Sequence, residues 1–310
     1  MKKIAFIFPG QGSQSIGMGK DFFENSEIAK EMISKASERL GINFEELLFE
    51  ENDNIGKTEF TQPAILLVSS IANAIFKEKC NVQPEFVLGH SLGEFSALVA
   101  AGAIDYLDAI ELVHRRGLFM TEACSGAGAG MMALVGLDDV TVESICIEQQ
   151  DAGKKVWPAN YNMDGQLVLA GLKADLESLV DTFKEAGAKR AIVLDMSVAS
   201  HCELLTSAVE NLRPYLDEYL KDEFSPIISN VTAEAYSTKD EAIELLSKQL
   251  TSPVKYKQSV AANADSVDMF IEFGNGIVLK GLNRKICKGT PTLNVSDSVS
   301  LEKVLGELND

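Results

Sequence analysis

Apolar residues fall into two periodicities along this chain. Short apolar runs that end at glycine or proline, such as Ile4–Phe8, Phe86-Val87-Leu88 and the stretch 267–273, broken only by Asp268 and Glu272, have the length of buried strands. Longer stretches with apolar residues every three or four positions read as helices. The chain opens with a strand over 3–8 and, after Pro9-Gly10-Gln11-Gly12-Ser13-Gln14, continues as a helix to about Leu40. Thr61-Gln62-Pro63 supplies a cap and a first-turn proline for a long helix in which Ile65, Leu66, Val68, Ile71, Ala72 and Ile75 keep helical spacing. Asp105 caps another, with Ala109, Ile110, Leu112, Val113 and Leu118 turned inward.

The pattern changes at Ser125-Gly126-Ala127-Gly128-Ala129-Gly130, which reads as a flexible join. Beyond it come a strand (131–137), a helix (140–150), two strands about an Asp164-Gly165 turn (155–160 and 166–171), a helix (174–186) and a strand (190–195). That β-α-β-β-α-β order predicts a ferredoxin-like small domain over 126–198. It would be inserted into a large α/β-hydrolase-like domain with a mostly parallel sheet, formed by 1–125 and 199–310. The large domain resumes with a helix to about Leu220, a short strand at 227–230, a helix over 241–250 and another from about Val254. Gly274-Asn275-Gly276 then turns the last strand into a helix through Lys288.

Gly89-His90-Ser91-Leu92-Gly93 stands between a strand and a helix-prone segment, 94–101. In that context G-x-S-x-G predicts a nucleophile elbow: glycines allow a strained turn that lifts the Ser91 hydroxyl clear, and the Leu92 amide is free to bind an oxyanion. The glycine-rich turn after the first strand fits no nucleotide motif, because the third position of G-x-G-x-x-G is Ser15 and no G-K-[ST] follows.

A formal charge of −18 would repel nucleic acid and anionic lipid. No apolar run approaches the roughly 18 residues of a spanning helix, and the five-residue run after Met1-Lys2-Lys3 is too short for a signal sequence. Five scattered cysteines without C-x-x-C spacing argue against a disulfide framework or a zinc site. A cytoplasmic protein is expected. Three histidines compete to be the base. His90 lies inside the elbow, where adjacent side chains diverge, and His114 lies among apolar helix neighbours. His201, in a loop at the domain junction beside Ala199 and Ser200, is favoured. Its imidazole would be oriented by an acidic residue or by a backbone carbonyl. Arg115 and Arg116 lie about 100° apart on their helix, so one of them can face a site.

Phe8-Pro9-Gly10-Gln11-Gly12-Ser13-Gln14, Thr61-Gln62-Pro63-Ala64, Gly89-His90-Ser91-Leu92-Gly93-Glu94, Arg116-Gly117, Ser200-His201 and Glu272-Phe273-Gly274-Asn275-Gly276 together resemble the malonyl-CoA:acyl carrier protein transacylase family from end to end of the chain. The resemblance implies a cofactor-free serine acyltransferase of fatty acid synthesis, with malonyl-CoA as donor and the phosphopantetheine thiol of acyl carrier protein as acceptor. It implies Ser91 as nucleophile, His201 as base, the Gln11 and Leu92 amides as oxyanion hole, and Arg116 as partner of the malonate carboxylate. It further implies that the Gln249 carbonyl orients His201 and that Asn160 lines the site. The chain departs from the family in having Asn275 where proline is commoner, and Ser200 occupies a position that varies with acyl selectivity.

Rival readings are an esterase or thioesterase, a trans-acting acyltransferase of a polyketide pathway, and a scaffold with a relic site. A monomer is expected. Because acyl carrier proteins are acidic, docking calls for a local basic patch. Lys280, Arg284 and Lys288 at every fourth position, with Lys285 alongside, offer one, and Lys189-Arg190 a second.

Overall fold

The computed structural model describes residues 2–309. Its strands are β1 (Ile4–Phe8), β2 (Phe86–Gly89), β3 (Ala129–Val135), β4 (Val156–Met163), β5 (Gln166–Leu172), β6 (Arg190–Val193), β7 (Glu223–Ile228), β8 (Ala235–Thr238), β9 (Met269–Phe273) and β10 (Thr292–Val295). Six of them form one sheet in the order β10-β9-β1-β2-β7-β8, parallel except where β8 runs antiparallel to β7. β1 lies at its middle with every residue buried, which is why it reads as a continuous apolar run with no alternation. Phe6, Phe76 and Phe273 meet on one face at centroid distances of 4.7–5.6 Å.

The other four strands make an antiparallel sheet, β4-β5-β3-β6, the order of a ferredoxin-like unit. The helices Asp139–Asp151, Lys173–Ser178 and Val180–Glu185 pack on it around Leu134, Val142, Leu169 and Phe183. β4 reaches the rest of the molecule through Tyr161 N to Val254 O (2.9 Å) and Val254 N to Ala159 O (2.8 Å). Lys257 adds ion pairs to Asp139 and Asp164.

The long helix is Thr58–Lys79, beginning three residues before the expected cap. Pro63 therefore sits inside the helix and cannot donate to the carbonyl of Glu59. That carbonyl instead accepts a 2.7 Å bond from His114 Nδ1, so the interior proline is tolerated. Contrary to expectation, this helix is long and apolar enough to cross a membrane, but every residue from 61 to 73 is buried inside the fold. Other boundaries moved too. The first helical stretch breaks at Ser26, which is extended, into Lys20–Asn25 and Glu27–Leu40. Leu118 points outward at 43% exposure. Val254 belongs to the bridge with β4, and its helix starts at Tyr256. The helices Phe44–Phe49 and Ser298–Asn309 and the strands β8 and β10 complete the fold beyond the elements that the sequence pattern predicts.

Candidate active site

β2 delivers the chain into the elbow, and Ser91 takes φ 52°, the left-handed region that costs a non-glycine residue about 1–2 kcal/mol. The flanking glycines act differently from the sequence expectation: their own φ values are ordinary. A Cβ on Gly89 would lie 1.8 Å from the Gly93 carbonyl carbon, and one on Gly93 would lie 2.0 Å from the Phe8 oxygen. They are needed because the turn closes on itself and on β1. Behind it runs the helix Gly93–Ala101.

His201, also left-handed at φ 61°, places Nε2 2.7 Å from Ser91 Oγ. Its Nδ1 lies 2.7 Å from the Gln249 backbone oxygen. A carbonyl can only accept, so Nδ1 carries the proton and Nε2 is left as an acceptor facing Ser91 Oγ. Burial, then the nearby Arg116 charge, push the His201 pKa down to about 3, which keeps the ring neutral. Of the other histidines, His90 bonds Asn162 Oδ1 through Nε2 (2.8 Å), and His114 is the packing residue beneath Glu59.

The two arginines separate cleanly. Arg115 pairs with Glu111 at 2.7 Å and stacks on Tyr215, half-exposed. Arg116 is 2% exposed and, among the described residues, has no direct carboxylate partner. Its Nη1 donates to Gln62 Oε1 (2.7 Å), its Nη2 to Gln249 Oε1 (3.0 Å), and its buried Nε has no partner among the described residues. Burial lowers its pKa to about 10, so it remains a cation. Gly117 lets this helix press on Thr58–Lys79, since a Cβ there would lie 2.5 Å from Glu59 Cα. That contact is what brings Gln62 to Arg116. A buried cation hydrogen-bonded to neutral amides, with the Glu94 carboxyl nearby beyond Gln249, can pair with an anion that enters the cavity.

Ser91, Leu92, His201, Arg116, Gln11 and Asn160 all line one cavity of about 510 Å³ between the two sheets, the size of a small-ligand site. Among the described residues, the amides of Gln11 and Leu92 donate to no other group, and the Gln11 side chain is anchored to Thr58 Oγ1 at 3.1 Å. Gln249 meets His201 through its backbone and Arg116 through its side chain. Two further residues behind this wall, Glu94 and Asn230, carried no functional expectation from sequence. Burial pushes the Glu94 pKa up to about 7, against hydrogen bonds from Gln249, Tyr236 and the Asn230 amide.

The expected docking cations are only partly assembled. The helix Val278–Ile286 walls the cavity with Val278, Leu279 and Leu282 and presents Arg284 and Lys285 to solvent. Lys280, one turn before Arg284, bonds Asn294 Oδ1 at 2.9 Å. Lys288 does not join that face, because the helix ends at Ile286. Lys189 and Arg190 are exposed at the start of β6, whereas Leu194, Asp195 and Met196 beyond its other end line the cavity. A four-residue strand separates them, roughly 13 Å.

Residues 5–293 match the acyl transferase domain family. The chain is 41% identical over 313 residues to the malonyl CoA-acyl carrier protein transacylase of Bacillus subtilis (strain 168), covering 100% of this chain and 98% of the relative. The crystal structure of malonyl-CoA:acyl carrier protein transacylase from Helicobacter pylori superposes with TM-score 0.96 at 45% identity, covering 100% of this chain and 99% of that one. A malonyl-transacylase solved in complex with a type II polyketide synthase acyl-carrier protein superposes with TM-score 0.94 at 35% identity, over 98% of this chain and 99% of that one.

Proposed function

We propose, for a chain that belongs to the acyl transferase domain family and within it to the malonyl-CoA:acyl carrier protein transacylases, that Ser91 carries malonyl from coenzyme A to the phosphopantetheine thiol of an acyl carrier protein in fatty acid synthesis. The observation that carries this reading is Arg116: a buried guanidinium lines the cavity that holds the Ser91–His201 pair.

In the first half-reaction Ser91 Oγ attacks the thioester carbonyl as His201 Nε2 takes its proton. The developing oxyanion lies toward the Gln11 and Leu92 amides. The C–S bond breaks, His201 returns the proton to the departing thiolate, and coenzyme A leaves as the thiol. In the second half the carrier thiol gives its proton to His201, attacks the Ser91 ester, and Ser91 Oγ recovers the proton as it leaves. Only one thiol needs the cavity at a time. The chemistry asks for no resident cofactor, since the acyl group arrives activated, and the expected setting is the cytoplasm.

Arg116 makes the acyl choice. Its cost of burial is offset when a carboxylate enters, so malonyl gains where acetyl does not. A hydrolase reading gives that cation no task. The test is to incubate the protein with malonyl-CoA and carrier protein bearing its phosphopantetheine, and to weigh the carrier. Transfer should add one malonyl group to the carrier faster than free malonate accumulates. Malonate release with an unmodified carrier would assign a hydrolase instead.

A further inference from the structure

We infer that Asn230 and Glu94 are positioning residues for acyl transfer, holding the Ser91 elbow and Gln249 in one buried hydrogen-bonded chain. The inference rests on the Ser91–His201 pair being the reacting centre. Asn230 is 0% exposed and Glu94 1%, and neither lines the cavity, so neither touches substrate.

Asn230 follows the end of β7, the neighbour of β2 in the sheet. Its Oδ1 accepts from the Ser91 amide at 2.7 Å and its Nδ2 donates to the Gly89 carbonyl at 2.6 Å. One side-chain amide therefore spans the elbow from the residue before His90 to the nucleophile. A left-handed non-glycine residue persists only where its surroundings over-determine it, and this bracket supplies that constraint at the strained residue itself. The side-chain amide supplies both the acceptor and the donor that this bracket uses.

The chain continues through the Asn230 amide, which donates to Glu94 Oε2 at 3.2 Å. The same oxygen accepts from Gln249 Nε2 at 2.7 Å, and Oε1 accepts from Tyr236 at 3.0 Å. Gln249 Nε2 also donates to the Ser91 carbonyl at 3.1 Å. Both peptide groups of Ser91 are thus held by side chains from distant segments. Both Glu94 oxygens accept in this network and a guanidinium only donates, so Glu94 on one side and Arg116 on the other fix which way the Gln249 amide faces. The Gln249 backbone, aligned by that side chain, holds His201. Nucleophile and base are therefore referenced to one buried frame.

The test compares Asn230→Ala and the near-isosteric Glu94→Gln with the unmodified protein, using two probes. One is the single-turnover rate of malonylation. The other is the rate at which a fluorophosphonate labels Ser91, which needs a positioned serine and base but no malonyl recognition. Misplacing reacting groups by about 1 Å costs up to about 10²-fold, so both rates should fall by roughly 10- to 100-fold. The KM for malonyl-CoA should change by less than about threefold, and labelling should still reach one adduct per chain. Rates within twofold of the unmodified protein in both variants would overturn the inference. So would a lower folded fraction whose remaining molecules react at the normal rate. A loss confined to malonyl thioesters, with fluorophosphonate labelling intact, would place the effect at Arg116 and equally overturn it. If the unmodified protein labels readily but is not malonylated, the proposed function fails by itself.

Discussion

Ser91 and His201, 110 residues apart in the chain, both adopt left-handed backbone conformations and meet at 2.7 Å between Oγ and Nε2. Each strained residue is held by groups from other segments, Asn230 for the serine and the Gln249 carbonyl for the histidine. The pair is preorganised by the surrounding fold.

His201→Ala should slow acylation by on the order of 10²–10⁴, the contribution of a positioned base, with little change in thermal stability. His114→Ala should do the reverse. It leaves the Glu59 carbonyl without a partner opposite Pro63, a loss of about 1–3 kcal/mol, with acylation of the folded fraction normal. Single-turnover acylation and thermal melts on both variants check the assignment, and a slow His114→Ala enzyme with a normal melt would contradict it.

Arg116→Ala should weaken malonyl transfer by about 2–5 kcal/mol and leave acetyl transfer equal or improved. The ratio of the two is the informative quantity, since the substitution also strands Gln62 and Gln249, which any acyl group would feel. An equal loss for malonyl and acetyl would make Arg116 structural.

Glu272 of β9 is 0% exposed and accepts from the Leu279 and Lys280 amides, holding the start of the helix that walls the cavity. Burial raises its pKa to about 7, above the unfolded value near 4.5. The stability this group contributes is therefore complete below about pH 4.5 and is lost as pH rises through about 7. The melting temperature of the unmodified protein minus that of Glu272→Gln should shrink between pH 5 and pH 8. A gap that widens over that window would reverse the assignment.

Lys280→Glu with Arg284→Glu should raise the apparent KM for carrier protein and flatten its salt dependence, with malonylation by malonyl-CoA unchanged. Lys189→Glu with Arg190→Glu should do less, given the length of β6 between those cations and the cavity. Carrier kinetics at low salt, measured for both double variants, decide between the patches.

Much of this site was legible because its signals are local. The strand, turn and helix around Ser91 are contiguous from Phe86 to Ala101, and the alternating elements give both sheets. The reason for the glycines was not legible, because Gly93 meets Phe8 only once β1 and β2 are paired. Gln62 read as part of a helix start, and its role at Arg116 depends on helix contact across 54 positions. Asn230 and Glu94 look like ordinary turn and helix residues, and only the fold joins them to Ser91 and Gln249. Weak edge elements such as β8 were missed because four residues, Ala-Tyr-Ser-Thr, carry too short a pattern.

Acyl transfer through Ser91 is tested by the intact mass of the protein after brief mixing with malonyl-CoA, followed by peptide mapping. One malonyl adduct per chain is expected, on Ser91, discharged when carrier protein bearing a free phosphopantetheine thiol is added and never formed in Ser91→Ala. A malonyl adduct of the same size on the Ser91→Ala protein would contradict transfer through Ser91.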